Sequence, residues 1–353
     1  MTTLFSELKI IDLSTVLAGP SVGTFFAELG ARVIKVEHPL HPDVTRSWRL
    51  PIEKEPVSAY FSSVNFGKSY LQLNLMDPND YEQFKALLVD ADIVLMNFKK
   101  GDDIKLRVTE SELRNINPNL ILGKISGFGA DSDRIAYDLI LQAETGFMSM
   151  NGSPDSEPTK LPVAMIDVLA AHQLKEGLLI ALLEKHTSGV ARTVHVSLYD
   201  AAVCSLMNQA SNFLMAQHIP ARIGSLHPNI APYGEQFITR DNIRITFAIG
   251  SNQHFERLCT FLTLPEIPQS ALYCTNQQRV LNRTSLAELL QSKIKTREAR
   301  EILEAMREMQ VPAGQIKNIA EVFEDESAQR LIREETIQKV STKRVTSVAF
   351  TIR

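Results

Sequence analysis

The sequence predicts an α/β protein: a parallel sheet with helices on both faces, followed by a smaller α+β unit. Three observations carry this. Strand-like and helix-like patterns alternate from residue 8 to about residue 200, the order that successive βαβ units impose. Residues 8–37 read as one complete strand–loop–helix–strand unit. A proline-bearing stretch from Pro220 to Gly234 then gives way to a hairpin pattern and three helical segments, a separate unit behind a linker.

In order, Lys9–Leu13 reads as a buried strand, and Leu17-Ala18-Gly19-Pro20 as its turn. Gly19 is available there for a dihedral that costs other residues energy. Pro20 suits a first helical position, where its missing N–H loses nothing. The helix Ser21–Leu29 places Val22, Phe25 and Phe26 on one face and stops at Gly30. Arg32–Glu37 completes the unit. Such a unit offers a helix N-terminus and a bare turn to an anionic ligand. The glycine spacing of a dinucleotide site is absent, which argues against NAD.

Ser69–Leu75 alternates as a strand, Asp77-Pro78 caps and starts a helix, and Asp92–Met96 is a further strand. Thr109 and Glu112 have capping-box spacing, and Leu120–Ile125 is another strand. A helix from about Asp167 to Lys185 is apolar nearly all round, which predicts burial. Strand Arg192–Ser197 and helix Leu198–Gln217 follow. The predicted division is a large domain over 1–217, a linker over 218–234 and a small domain over 235–324. In the small domain, strands Glu235–Arg240 and Ile243–Ile249 precede helices near 252–263, 285–295 and 297–309.

Composition excludes several classes. A net charge of −4 over 353 residues gives no basic field for nucleic acid. No apolar run reaches membrane-spanning length, and Met1–Glu7 lacks the pattern of a signal peptide. Cys204, Cys259 and Cys274 lie far apart and read as packed small hydrophobes of a reduced, cytoplasmic protein. The eight histidines show no zinc spacing, so no metal is expected. Asp167 stands alone among Pro162–Val168 at the start of the buried helix. Spacing alone favours an N-cap; the further reading is a carboxylate held ionised by the helix terminus as a nucleophile.

The stretch IIDLSTVLAGPSVGTFFAELGARVIKVEHP resembles the opening of the family III CoA-transferases, the group that includes formyl-CoA transferase, carnitine CoA-transferase and α-methylacyl-CoA racemase. The resemblance continues through NFGKSYLQLNL (65–75), NFKKG (97–101), NPNLILGKISGFG (117–129), AYDLILQAETGFMS (136–149), HPNIAPYG (227–234) and VPAG (311–314). It implies a Rossmann-like large domain, a return of residues 325–353 to it with Thr346–Ile352 as a strand, and an interlocked homodimer. Relatives carry a few dozen residues more, so the resemblance implies a shortened large domain.

The resemblance makes Asp167 the nucleophile that attacks an acyl-CoA thioester, passing CoA to a free carboxylate through anhydride and aspartyl-CoA intermediates. CoA is then a substrate, with no permanent cofactor, and the other partner is a small carboxylic acid. By the same match, Val16, Leu17 and Ala18 line the pantetheine path, Leu73 and Met76 face the adenine, and Asn97 and Phe98 lie near the nucleotide. His38 and Lys105 stand where relatives have arginine, with Lys68, Lys99 or Lys100 as further phosphate cations. Tyr137 and Asp138 complete the set, and the turn Ile249–Asn252, from a partner subunit, is a source of oxyanion donors. Racemases of the family place histidine where Tyr137 stands; a tyrosine is a poor proton shuttle at neutral pH. Transfer is therefore favoured over racemisation or epimerisation. The other rivals are a non-catalytic CoA-binding protein and, more distantly, a dehydrogenase. The single Trp48 has no assigned role.

Overall fold

A computed structural model describes residues 4–352. The chain forms two compact units. One takes residues up to Phe147, Lys160–Ile219 and the segment from Gln329; the other takes Met148–Thr159 and Pro220–Ala328.

The first unit is built on six parallel strands: β1 (Lys9–Asp12), β2 (Arg32–Glu37), β3 (Lys68–Gln72), β4 (Ile93–Met96), β5 (Ile121–Ser126) and β6 (Thr193–Ser197). Their order is β3-β2-β1-β4-β5-β6, so the chain reverses its direction of travel across the sheet between β1 and β4. A crevice opens at the carboxyl ends of strands where the order reverses. Successive residues alternate faces. Ile10, Val33, Ile93 and Ile121 pack with the helices Ala18–Glu28 and Met165–Ser188. Ile11, Ile34, Val94 and Leu122 pack with Pro78–Leu88 and Glu110–Ile116. Both faces are covered, which is why these strands read as continuous apolar runs.

The predicted caps form. Asp77 accepts from the amides of Asn79 and Asp80 ahead of Pro78, and Thr109 and Glu112 make a reciprocal capping box. The first helix departs from expectation, starting at Ala18 and putting Pro20 third. Gly19 is required for close approach, because a Cβ there would lie 2.3 Å from Ser14 Cβ. The positive φ of the turn belongs to Val16, at 73°.

Four further expectations fail. The helix Met165–Ser188 is not buried all round: Ile180 is 67% and Leu183 63% exposed. The helix expected over 198–217 breaks into Leu198–Cys204 and Met207–Ala216, with Met207 at φ 49°. Thr346–Ile352 is not a strand; the late strands are an antiparallel pair, β10 (Ile332–Ile337) and β11 (Val340–Val345). What holds the segment is a buried carboxylate. Glu28 pairs with Arg344 and accepts from the Ser347 and Val348 amides, so hydrogen bonds that a strand would make laterally go to one side chain. Among the cysteines only Cys259 is buried, while Cys204 and Cys274 are exposed.

The second unit holds an antiparallel sheet, β7 (Tyr233–Ile238), β8 (Arg244–Ala248) and β9 (Ala313–Gln315), in that order. Helices Asn252–Phe261, Arg283–Ile294 and Ala299–Glu308 supply its core with Phe255, Leu290 and Ile302. A short helix, Asn276–Leu281, was not expected. No helix among the described residues is long and apolar enough to cross a membrane.

Candidate active site

The loop after β1 is held by side chains from neighbouring strand ends. The Asn97 side chain accepts from Thr15 N at 3.0 Å and donates to Thr15 O at 2.8 Å. The Val16 amide donates to the carboxylate of Asp43, which is buried and ion-paired with buried Lys35. Above this loop lies a crevice of about 490 Å³, walled by Thr15, Val16, Asn97, Phe98, Ser126 and Tyr137 among others. Its walls come from the loops after β1, β4 and β5, as the strand order requires. A hollow of about 130 Å³ adjoins it through Thr15 and Phe98, lined also by His38, His41 and Leu73.

The residues expected to meet CoA therefore divide. Val16, Asn97, Phe98 and Tyr137 line the crevice. His38 and Leu73 line the smaller hollow. Leu17 is the N-cap position of the helix Ala18–Glu28 and Ala18 is buried in its first turn. Met76 is 55% exposed, and neither it nor Lys105 lines either hollow. The cations also divide. Lys99, Lys100, Lys124 and Arg134 face the crevice. Lys68 does not: it is fully buried, paired with Asp12 at 2.8 Å and donating to Pro20 O, Val64 O and Asn65 Oδ1. Burial lowers its ammonium pKa to about 8 despite that pair. With all its protons spoken for inside the core, Lys68 holds no phosphate.

Asp167 is the third residue of the helix Met165–Ser188, and its N-cap position is Ala164, which offers no side-chain cap. The cap comes from elsewhere in the chain. Asp138 Oδ1 accepts from Ile166 N at 2.7 Å and from Asp167 N at 3.3 Å. Its other oxygen accepts from Gln142 Nε2 at 2.5 Å, and Gln142 Oε1 in turn accepts from Leu161 N. Asp138 itself opens the helix Asp138–Glu144, whose N-cap position is Tyr137. Two helix starts thus converge on one carboxylate, and Asp167 is free of capping duty.

Asp167 is buried, 7% exposed. Burial first, and then the Asp138 charge, push its pKa up to about 7. This reverses the expectation that the helix terminus would hold it firmly ionised: loss of hydration outweighs the dipole, which favours a charge here by only about 1 kcal/mol.

Tyr60 lies within electrostatic reach of this carboxyl. Tyr60 has its hydroxyl pKa raised to about 12 by burial and then by the charges of Asp167, Asp138 and Asp43. Trp48 meets the Tyr60 ring edge-on at 5.3 Å and lies 6.4 Å from the Tyr137 ring. Trp48 thereby acquires a place, as a wall between Tyr60 and Tyr137. Tyr60 and Asp43 were not legible as site residues. Tyr60 sits in a five-residue helix capped by Ser58, and only tertiary contact brings it to Asp167. In the second unit, Ser251 of the turn Ile249–Asn252 caps the helix Asn252–Phe261 by accepting from His254 N.

The profile of CoA-transferase family III matches residues 5–353. A succinate–glutarate CoA-transferase of Agrobacterium fabrum is 35% identical over 332 residues, 92% of this chain and 82% of that protein. An acetyl-CoA:oxalate CoA-transferase of Acetobacter aceti is 32% identical over 321 residues, 90% of this chain and 82% of that protein. Among solved structures, a CAIB/BAIF family protein from Brucella suis superposes with a TM-score of 0.84 at 33% identity, covering 99% of this chain and 93% of that one.

Proposed function

We propose, on the premise that this chain belongs to CoA-transferase family III, that it moves CoA from a small acyl-CoA to a free dicarboxylate through covalent intermediates on Asp167. The observation that carries the reading is the Asp167 carboxyl: buried, without a cationic partner among the described residues, and next to a helix start whose N-cap residue, Tyr137, walls the crevice. A desolvated carboxylate is a stronger nucleophile than a hydrated one, and an ordinary structural aspartate would be paired. Relatives named for succinate, glutarate and oxalate support a dicarboxylate acceptor.

The ionised Asp167 oxygen attacks the thioester carbonyl, and the C–S bond breaks to give a mixed anhydride and CoA thiolate. The thiolate attacks the aspartyl carbonyl, releasing the donor acid and leaving aspartyl-CoA thioester. The acceptor carboxylate attacks that thioester, expels the thiolate and forms a second anhydride. The thiolate then attacks the acceptor's acyl carbon, and Asp167 is regenerated. No proton is gained or lost overall. Each tetrahedral intermediate needs donors aimed at its oxyanion; the turn Ile249–Asn252 of a partner subunit is our candidate source. CoA lies along Val16, Asn97 and Phe98, with Lys99 and Lys100 toward its phosphates.

The active form in this reading is an interlocked homodimer in the cytoplasm. Its support is the apolar surface at Ile180, Leu183, Leu214 and Met215. The test is intact-protein mass spectrometry after incubation with a panel of acyl-CoAs. Adducts are expected on Asp167 and absent in Asp167→Ala, which should still bind CoA. Normal turnover by that variant, or no adduct from any donor, would refute the covalent mechanism.

A further inference from the structure

Four consecutive backbone groups of the loop after β1 are gripped by side chains. Lys35 Nζ donates to Ser14 O at 2.7 Å, Asn97 takes both polar groups of Thr15, and Asp43 accepts from Val16 N at 3.2 and 3.3 Å. The result is a valine at φ 73°. A β-branched residue in the left-handed region is an outlier that persists only where its surroundings enforce it. Nothing in the packing of Val16 itself enforces it, since the side chain is only half-buried and lines the open crevice. The enforcement comes from below. Asp43 is 1% exposed; Oδ1 also accepts from Thr45 N and Oγ1, and Oδ2 faces Lys35 Nζ at 3.1 Å. Its own amide donates to Glu37, which is paired with Arg46.

We infer that Asp43 is a positioning residue for CoA: it locks the Val16 peptide in a conformation the sequence disfavours, and so holds the Thr15–Leu17 backbone open to the thioester's path. This rests on the CoA-transferase reading above. An ion pair with Lys35 would be complete without the Val16 amide. Directing both carboxylate oxygens at that amide as well gives the buried pair a grip on a surface loop.

The test uses glycine, which adopts positive φ without penalty. In Asp43→Asn the Oδ2 position becomes an amide NH2 that faces only donors, namely Val16 N and Lys35 Nζ; Oδ1 keeps Thr45 and a single contact from Val16 N at 3.3 Å, so the lock is weakened. The KM for acyl-CoA should rise about tenfold in the wild-type background. Introduced on top of Val16→Gly, the same change should raise KM less than about threefold, because the loop no longer needs forcing. The change in kcat should be the smaller effect in both backgrounds. Hydrogen exchange at the Val16 amide gives a readout independent of turnover: protected in the wild type, it should exchange faster in Asp43→Asn. Equal KM increases in the two backgrounds, or an unchanged Val16 exchange rate in a folded Asp43→Asn, would overturn the inference.

Should Asp43→Asn fail to fold, Val16→Pro removes the donor and fixes φ near −65° while leaving the Asp43–Lys35 pair intact. A raised KM at a near-native melting temperature is then expected, and an unaltered KM overturns the inference. If the wild type transfers CoA from no donor, the functional reading fails, whereas the exchange measurement still decides whether Asp43 locks Val16.

Discussion

Asp138 caps the helix that carries Asp167, accepting with one oxygen from the amides of Ile166 and Asp167 at 2.7 and 3.3 Å. The same contact positions Asp167, the proposed nucleophile, and loads it with a neighbouring negative charge. Capping and tuning are therefore separable by substitution. Asp138→Asn keeps an acceptor oxygen for the two amides but deletes the charge that helps raise the Asp167 pKa to about 7. The proposed mechanism needs Asp167 ionised, so activity should fall as pH drops through that value. In Asp138→Asn the acid limb of kcat/KM should move to lower pH, by up to about one unit. Asp138→Ala loses the cap too and should cost about 1 kcal/mol in stability. An acid limb in the same place in Asp138→Asn would mean that burial alone sets the pKa.

Asp167 should destabilise the fold it serves. Its pKa is 3.8 in ordinary surroundings and about 7 when folded. Below pH 3.8 both states hold the proton and the site contributes no penalty. As pH rises, the unfolded chain releases its proton first, and the penalty grows until the folded carboxyl also ionises near pH 7. Above that it amounts to a few kcal/mol, on the order of 4. Asp167→Asn carries no such term. The variant's melting temperature should gain on the wild type between pH 5 and pH 8, with transfer activity lost. A constant difference across that range would show that the carboxyl stays ionised at pH 5.

Two lysines that look alike in sequence should behave as opposites. Lys68 and Asp12 are both fully buried and paired, so Lys68→Ala strands a carboxylate in the core and should cost about 3–5 kcal/mol. Lys99 lines the crevice. Lys99→Met should leave the melting temperature almost unchanged, weaken CoA binding, and flatten its dependence on salt. If Lys99→Met instead left both affinity and salt dependence intact, the phosphates would lie elsewhere.

The contrast between those lysines marks what the sequence could reveal. The central strands β1, β2, β4 and β5 were legible because they are buried on both faces and read as largely apolar runs, while the flanking β3 and β6 are only partly buried and were legible by alternation and by their place in the βαβ order. Local chemistry was legible too: Asp77 and the Thr109–Glu112 pair act within four residues of themselves. Asp167 was singled out through a motif, yet its state was not legible, because burial first and then the charge of Asp138, 29 residues away, set it. Val16 was read as a wall of the CoA path, while its forced backbone depends on Asp43, 27 residues on. Tyr60 gave no local signal at all. The late strand was misplaced because the alternation of Thr346–Ile352 is satisfied by a buried Glu28 and not by a neighbouring strand.

The last failed expectation bears on assembly. A helix predicted to be wholly buried instead shows Ile180 at 67% and Leu183 at 63% exposure, and the helix Met207–Ala216 shows Leu214 at 72% and Met215 at 88%. Single exposed apolar residues are ordinary, but apolar residues recurring along two helices are not. Ile180 and Leu183 are three apart and share a helix face, so a second copy of the chain could cover both at once. Ile180→Asp with Leu183→Asp should leave the sheet untouched, since neither side chain reaches the core. The pair should convert a dimer at micromolar concentration to monomer, measured by light scattering, and should abolish transfer if a partner's turn completes the site. CoA binding should survive, because the crevice walls all come from one unit of one chain. A wild type already monomeric at that concentration, or a variant dimer of unchanged stability, would show that this surface is not the interface and that the oxyanion donors must be sought within the same chain.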